Sequence, residues 1–246
     1  MNTLHSFFFS VYPYVCLSVF FIGSLARYDR DQYTWKSDSS QLLRAGQLRW
    51  GSNLFHVGIL ILFFGHLAGL LTPHYIYGHF ISAHAKQLVA IYSGGTAGVI
   101  CFIGLTLLIH RRLFDPRIRL TSHRTDLFIL IILWVQLVIG LMTLPFSLAH
   151  SDGSSMLQLA EWSQRIVTFR PEHTVLYGLN WPYKIHLVLG MTIFLLFPFS
   201  RLVHVWSGFG TLAYVFRAKQ VVRSRRLDQP EAPKQPWMFP NSKNKS

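Results

Sequence analysis

Five stretches of this chain contain no Asp, Glu, Lys or Arg: residues 6–26, 53–72, 88–109, 127–145, and a fifth from Ile185 to Ser200. A helix needs ~20 apolar residues to cross ~30 Å of hydrocarbon, and each stretch approaches or exceeds that length. Lipid offers no partners to backbone N–H and C=O groups, so uncharged runs of this length become helices that bond internally. The expected fold is an all-α integral membrane bundle of five transmembrane helices. Composition agrees: 13% of the 246 residues are charged, against about a quarter in soluble domains. The bundle is expected over residues 1–226, with no room for a separate globular domain. The polar, Pro-containing tail over 227–246 is expected to be disordered.

A net charge of +13 suggests nucleic acid in a soluble chain, but here the placement of the charge decides. Lys86, Arg165, Arg170 and Lys184 follow the second and fourth runs; the other 19 of the 23 Lys and Arg (23 less these 4) follow the first, third and fifth. The positive-inside rule makes the second set cytoplasmic, with the N-terminus outside and the C-terminus in the cytoplasm. No nucleic-acid partner is expected; a lipid bilayer is. Arg27, Arg30 and Lys36 follow the first run rather than precede it, as in a retained anchor and not a signal peptide. Ser37, Ser39 and Ser40 belong to a polar inner connection. Cys16 and Cys101 fall inside runs and read as small apolar packers.

The fourth helix is expected to end at Pro145. Between it and the fifth, SSMLQLAEWSQRIVTF (154–169) spaces Met156, Leu157, Ala160, Ile166 and Val167 as a short helix lying on the outer surface. Gly94, Gly95, Gly98 and Gly104 give the third helix a small-residue surface for close packing.

Histidine is the chemistry inside these runs. His56 and His66 lie in the second, and His186 and His204 at the two ends of the fifth. Intramembrane imidazoles are costly unless something holds them, which makes them functional by default. The two helices are antiparallel, so His56 pairs in depth with His204 and His66 with His186. A low-spin haem iron takes one imidazole from each side, so two facing helices can clamp two b-type haems. Helix arithmetic raises an objection: ten residues from His56 to His66 rise about 15 Å and eighteen from His186 to His204 about 27 Å. Tilt and a bend at Pro198 are expected to absorb the difference, with the irons about 20 Å apart. Gly58, Gly65, Gly69 and Gly190 are candidates for porphyrin clearance, Gly65 and Gly69 equally for helix packing. A haem-free proton-coupled transporter using the four histidines as relays stays open. The remaining histidines, including His5, His150 and His173, read as solvated or interfacial.

FFFSVYPY near the amino end, RYDRDQYTW at 27–35, SNLFHVGIL at 52–60, GHLAGLLTPH at 65–74, RRLFDPR at 111–117 and HLVLGMTIFLLFPFSRLVHVWS at 186–207 resemble the cytochrome b (gamma) subunit of respiratory nitrate reductase. The resemblance runs from about residue 6 to 225. It implies a two-haem membrane anchor that oxidises quinol (menaquinol or ubiquinol) on the outer side. Electrons then pass to an iron-sulfur (beta) subunit and on to a molybdenum catalytic (alpha) subunit. It assigns the proximal haem to His56 and His204, the distal haem to His66 and His186, and a quinol pocket beside the distal haem to Gly65, His66 and Lys86. Lys86 would donate a hydrogen bond to a quinol oxygen, and Arg201 would meet a haem propionate or act as a positive-inside anchor. Arg111 and Arg112 could dock the iron-sulfur partner. Related di-haem subunits, serving formate dehydrogenase, hydrogenase, or sulfite or heterodisulfide reductases, are the alternative within this chemistry.

Overall fold

The computed structural model describes residues 2–31, 45–149 and 152–207. The polar connection with Ser37, Ser39 and Ser40, the loop residue His150, the domain boundary at 226 and the tail over 227–246 lie outside the described residues. Among the described residues every regular element is helical. Five helices are long and apolar enough to cross a membrane, at Thr3–Arg30, Gly46–Leu71, Ala83–Phe114, Arg124–Ala149 and Trp181–Phe199.

The first, α1, runs through Asn2–Ser6, a π-helical turn at Phe7–Val11, and Tyr12–Asp31. Helix α2 spans Ala45–Leu71 and stops ahead of Pro73, whose extended backbone starts the single turn α3, His74–Tyr77. Helix α4, Ala83–Phe114, opens on Ser82, whose hydroxyl accepts the Ala85 N–H. Its end is written in RRLFDPR: Asp115 is extended, its carboxylate accepts the Arg117 and Ile118 N–H groups, and Pro116 takes the first position of α5, Pro116–Thr121.

Helix α6 covers Arg124–Ala149 and continues through Pro145, a correction to the expected stop there. On either side of the proline, Tyr183 Oη donates to the Thr143 carbonyl at 3.3 Å and Gln87 Nε2 to the Ser147 carbonyl at 2.8 Å. The expected surface helix is present as α7, Ser154–Val167. Its buried face is Ala160, Trp162, Ser163 and Ile166, while Leu157 and Val167 of the expected face are exposed. Trp162 draws the face round, because its indole N–H donates to the Phe9 carbonyl in the π-helical turn at 2.8 Å. Phe9, Trp162, Ile166, Leu176, Leu179 and Tyr183 form one core cluster there.

Helix α8, Trp181–Leu196, does not carry the fifth span to His204 as a continuous helix. A 3-10 turn at Phe197–Phe199 follows, Ser200 is extended (φ −121°, ψ 175°), and a second 3-10 turn occupies Arg201–Val203. The expected shared helical face of His186 and His204 is therefore replaced by a break. The expected bend at Pro198 is part of it.

Packing follows the order α2 on α4, α4 on α6, α6 on α8 and α8 on α1. The α2–α4 contact is backbone-close: a Cβ on Gly104 would collide with the Phe55 N–H, and one on Gly58 would lie 2.7 Å from Cys101 N. Gly58 thus serves helix packing rather than porphyrin clearance. The α4 glycines do not form one surface: Gly95 and Gly98 face Leu144 and Leu141 of α6, Gly104 faces α2, and Gly94 meets nothing. Helix α2 and the fifth span, which carry the histidines, share no packed face among the described residues, and α2 is the least buried of the five spans.

Candidate cofactor site

The four intramembrane histidines meet as two pairs across the gap between α2 and the fifth span. His56 and His204 have ring centroids 6.4 Å apart and planes at 73°. His66 and His186 stand 6.2 Å apart with planes at 33°. The first pair lies at the bundle end bearing Arg111, Arg112 and Arg201, here the basic end; the second lies toward the far end.

In all four rings Nδ1 faces a main-chain oxygen. His56 contacts Ser52 O at 2.7 Å, His66 contacts Leu62 O at 2.7 Å, His186 contacts Gln136 O at 3.1 Å and His204 contacts Arg201 O at 2.6 Å. A carbonyl oxygen only accepts, so each Nδ1 carries the proton and donates it. That tautomer leaves an Nε2 lone pair on every ring, the arrangement that metal-ligating histidines use; at His186 the Gln136 amide nitrogen stands 3.4 Å from it.

His186 lies in regular helix against α6. A Cβ at Gly140 would stand 2.8 Å from its Cε1, so the glycine makes room for the ring. The Gln136 side-chain amide donates to the His186 main-chain oxygen at 3.1 Å.

His204 follows the break, and other side chains hold it there. Arg27 Nη1 donates to Pro198 O at 2.7 Å and Ser200 O at 2.9 Å. Gly23 lets α1 approach Pro198, where a Cβ would come within 2.9 Å. Asp126 Oδ2 accepts from Arg201 Nη1 at 3.2 Å and Arg112 Nη1 at 3.3 Å, tying the start of α6 to the segment before His204. Arg201, expected near a propionate, is thus placed one turn before His204 and engaged with Asp126. Arg111 is buried near Asp115.

At the far end Lys86 Nζ donates to Gly69 O at 3.0 Å and lies 3.5 Å from the centre of the Tyr77 ring. Burial pushes the Tyr77 phenol upward, which keeps that ring neutral beneath the ammonium. Gly69 is three residues beyond His66, so Lys86 reaches the same end of α2. A Cβ at Gly65 would meet nothing within 4 Å, whereas Gly69 makes ordinary contact with Met156 and Gly190 faces the Gln136 amide. Gln164 of α7 closes this end, its amide donating to Leu70 O and Thr72 O at 3.0 and 3.4 Å.

Residues 5–225 match the family model described as nitrate reductase gamma subunit. The chain belongs to that family. It is 52% identical over 225 residues to the respiratory nitrate reductase 2 gamma chain of Escherichia coli K12, covering 91% of this chain and 98% of that one. It is 49% identical to the respiratory nitrate reductase 1 gamma chain of the same organism, covering 92% and 100%. It is 37% identical to the nitrate reductase gamma chain of Bacillus subtilis, covering 87% and 96%. As a nitrate reductase gamma subunit it is a multi-pass protein of the bacterial inner membrane and one part of a multi-subunit oxidoreductase.

For this gamma subunit, sequence reasoning missed Gln136 and Gly140 on α6 and the bonds of Arg27. The uncharged fourth run with a lone Gln four residues before a Gly was the available signal for the first two. Arg27 read as a flanking cation because its carbonyl partners exist only where the fifth span breaks. His5 read as solvated or interfacial; it packs on Phe9 and Tyr177 with centroids 4.6 and 4.7 Å away and its ring nitrogens buried.

Proposed function

We propose that this chain is the di-haem cytochrome b subunit that oxidises quinol, menaquinol or ubiquinol, for a membrane-bound nitrate reductase. Its electrons go to an iron-sulfur (beta) subunit and through it to a molybdenum catalytic (alpha) subunit. The spacing of the imidazole pairs carries this reading. A metal–imidazole bond is about 2 Å, and a ring nitrogen lies roughly 1 Å from its ring centre, so two rings on opposite sides of one iron have centroids about 6 Å apart. The pairs stand at 6.2 and 6.4 Å. Among the described residues no group of three or more His, Cys, Asp or Glu offers to hold a bare metal ion. A metal held by two imidazoles must bring its other ligands with it, as haem iron does. The unpacked gap between α2 and α8 supports the same group.

His56 and His204 would hold the proximal haem, and His66 and His186 the distal one. When bound, the two haems supply a one-electron relay between the membrane faces. Lys86 has N–H groups beyond the one given to Gly69, and its charge favours the quinol oxygen as protons depart. Gly65, open beside His66, leaves that approach clear. Arg201 retains guanidinium N–H groups for a propionate near His204. Quinol yields quinone, two protons and two electrons. With the basic end cytoplasmic and the N-terminus outside, protons leave outward while electrons travel inward. Each charge moved is worth ~2.3 kcal/mol per 100 mV.

The test uses the assembled complex. A reduced-minus-oxidised spectrum is expected to contain two b-type components. His66→Leu is expected to remove one of them and quinol-dependent turnover, while an artificial donor acting directly on the soluble subunits still supports nitrate reduction. Unimpaired quinol oxidation in that variant, or no b-type band in the unsubstituted complex, refutes the proposal.

A further inference from the structure

The His186 ring reaches its hydrogen-bond acceptor across a helix-helix contact, whereas His56, His66 and His204 use carbonyls three or four residues back in their own segments. The acceptor is the main-chain oxygen of Gln136, in the middle of α6 and fifty positions away. In regular helix that oxygen already serves the N–H of Gly140, four residues on, and its second lone pair is free for a second donor. A side chain at the fourth residue on stands over that lone pair. At Gly140 no side chain exists, and the imidazole occupies the place: a Cβ would lie 2.8 Å from Cε1, 3.3 Å from Nδ1 and 3.6 Å from Nε2. The ring itself fills the notch, with no flexible chain end to swing aside.

We propose that Gly140 and the main-chain carbonyl of Gln136 form a seat on α6 that fixes the His186 ring and holds its proton on Nδ1. Gly140 is thereby a positioning residue for the distal haem ligand. The assignment rests on the reading of His186 as that ligand. The Gln136 side-chain amide anchors the α8 main chain through the His186 oxygen at 3.1 Å and also stands 3.4 Å from the ring Nε2. A carbonyl accepting from Nδ1–H raises the basicity of Nε2 and so favours the oxidised metal. Loss of the seat therefore raises the potential of one haem and spares the other.

The test is a potentiometric titration of both b-type components in the intact complex, together with the oxidised low-spin signals. Gly140→Ala is expected to move upward, or remove, the component that His66→Leu removes, and to leave the other in place. Gly98→Ala inserts the same methyl against Leu141 of α6, 2.7 Å from its Cδ2 and away from His186, and is expected to move neither. Gln136→Leu keeps the carbonyl but removes an amide that touches both the His186 oxygen and Nε2, so the distal component is expected to persist while thermal stability falls. The proposal is overturned by unmoved potentials in Gly140→Ala, or by an equal shift in Gly98→Ala, which would mean general packing. Loss of the distal component in Gln136→Leu also overturns it, since the side chain would then position the ring; this arm decides if Gly140→Ala does not assemble. Failure of the haem reading looks different: the unsubstituted complex would lack the two components.

Discussion

His186 and His204 belong to the same span and are positioned by opposite means. His186 lies in unbroken helix and is seated by shape, in the place where Gly140 of α6 has no side chain. His204 comes after Ser200, where the helix is broken and carbonyls lose their internal partners. It is held by charge: Arg27 bonds Pro198 and Ser200, and Asp126 gathers Arg112 and Arg201. The difference follows from depth and sequence. Inside the unbroken helix the backbone has its own partners, so the space at Gly140 and the Gln136 contacts suffice to position the ring. Near the basic end arginines are already favoured, and they make a non-helical ligand segment tolerable.

Arg27→Leu is the sharpest way to break this contrast. It removes two charge-assisted bonds to carbonyls that lipid cannot solvate, each contributing about 1.5–3 kcal/mol. The expected outcome is loss or broadening of the proximal b-type component, the one that a His56 substitution removes, with the distal component intact. If both components disappear together, the two halves of the fifth span are not independently held and the contrast is wrong.

A smaller effect is expected from Asp126→Asn, which keeps the shape and leaves Arg112 and Arg201 facing one another with little compensation. The three side chains are only 13–19% exposed, so the loss is placed at about 2 kcal/mol, below that of a fully buried pair. A thermal scan of the solubilised chain should fall by roughly 4–8 °C. The proximal signal should become heterogeneous, and the distal one should not. An unchanged midpoint would show that Arg201 is held without Asp126.

What the sequence could reveal divides along the same line. The five spans were legible because absence of charge is a local property, and the pairing of the histidines because antiparallel helices impose matched depths. RRLFDPR carries its own stop and start in Asp115 and Pro116. The break at Ser200 was only half legible: Pro198 marked a bend, but an extended residue inside a span depends on Arg27, distant in sequence. Pro145 misled because membrane helices tolerate a proline where neighbouring helices pack against it, and Tyr183 and Gln87 approach α6 on either side of this one. Gly140 offered only its spacing from Gln136 in an uncharged run, because a notch exists only relative to the ring that fills it.

The mildest expected effect comes from a polar clamp at the end that packing governs. Gln164 of α7 donates to Leu70 O and Thr72 O at the last turn of α2, beyond His66. Two neutral hydrogen bonds of unequal length, one at 3.0 and one at 3.4 Å, contribute about 1 kcal/mol together. Water at the membrane surface can replace the amide, which keeps the loss small. Gln164→Leu should therefore lower the melting temperature by roughly 2–4 °C while leaving the distal component at full intensity and potential. The His66 ring keeps its own bond to Leu62 O, one turn back within α2, and His186 keeps its seat. If this variant instead empties the distal site while Arg27→Leu leaves the proximal one filled, then polar clamps rule the far end and packing the basic end, the reverse of the arrangement argued from these contacts.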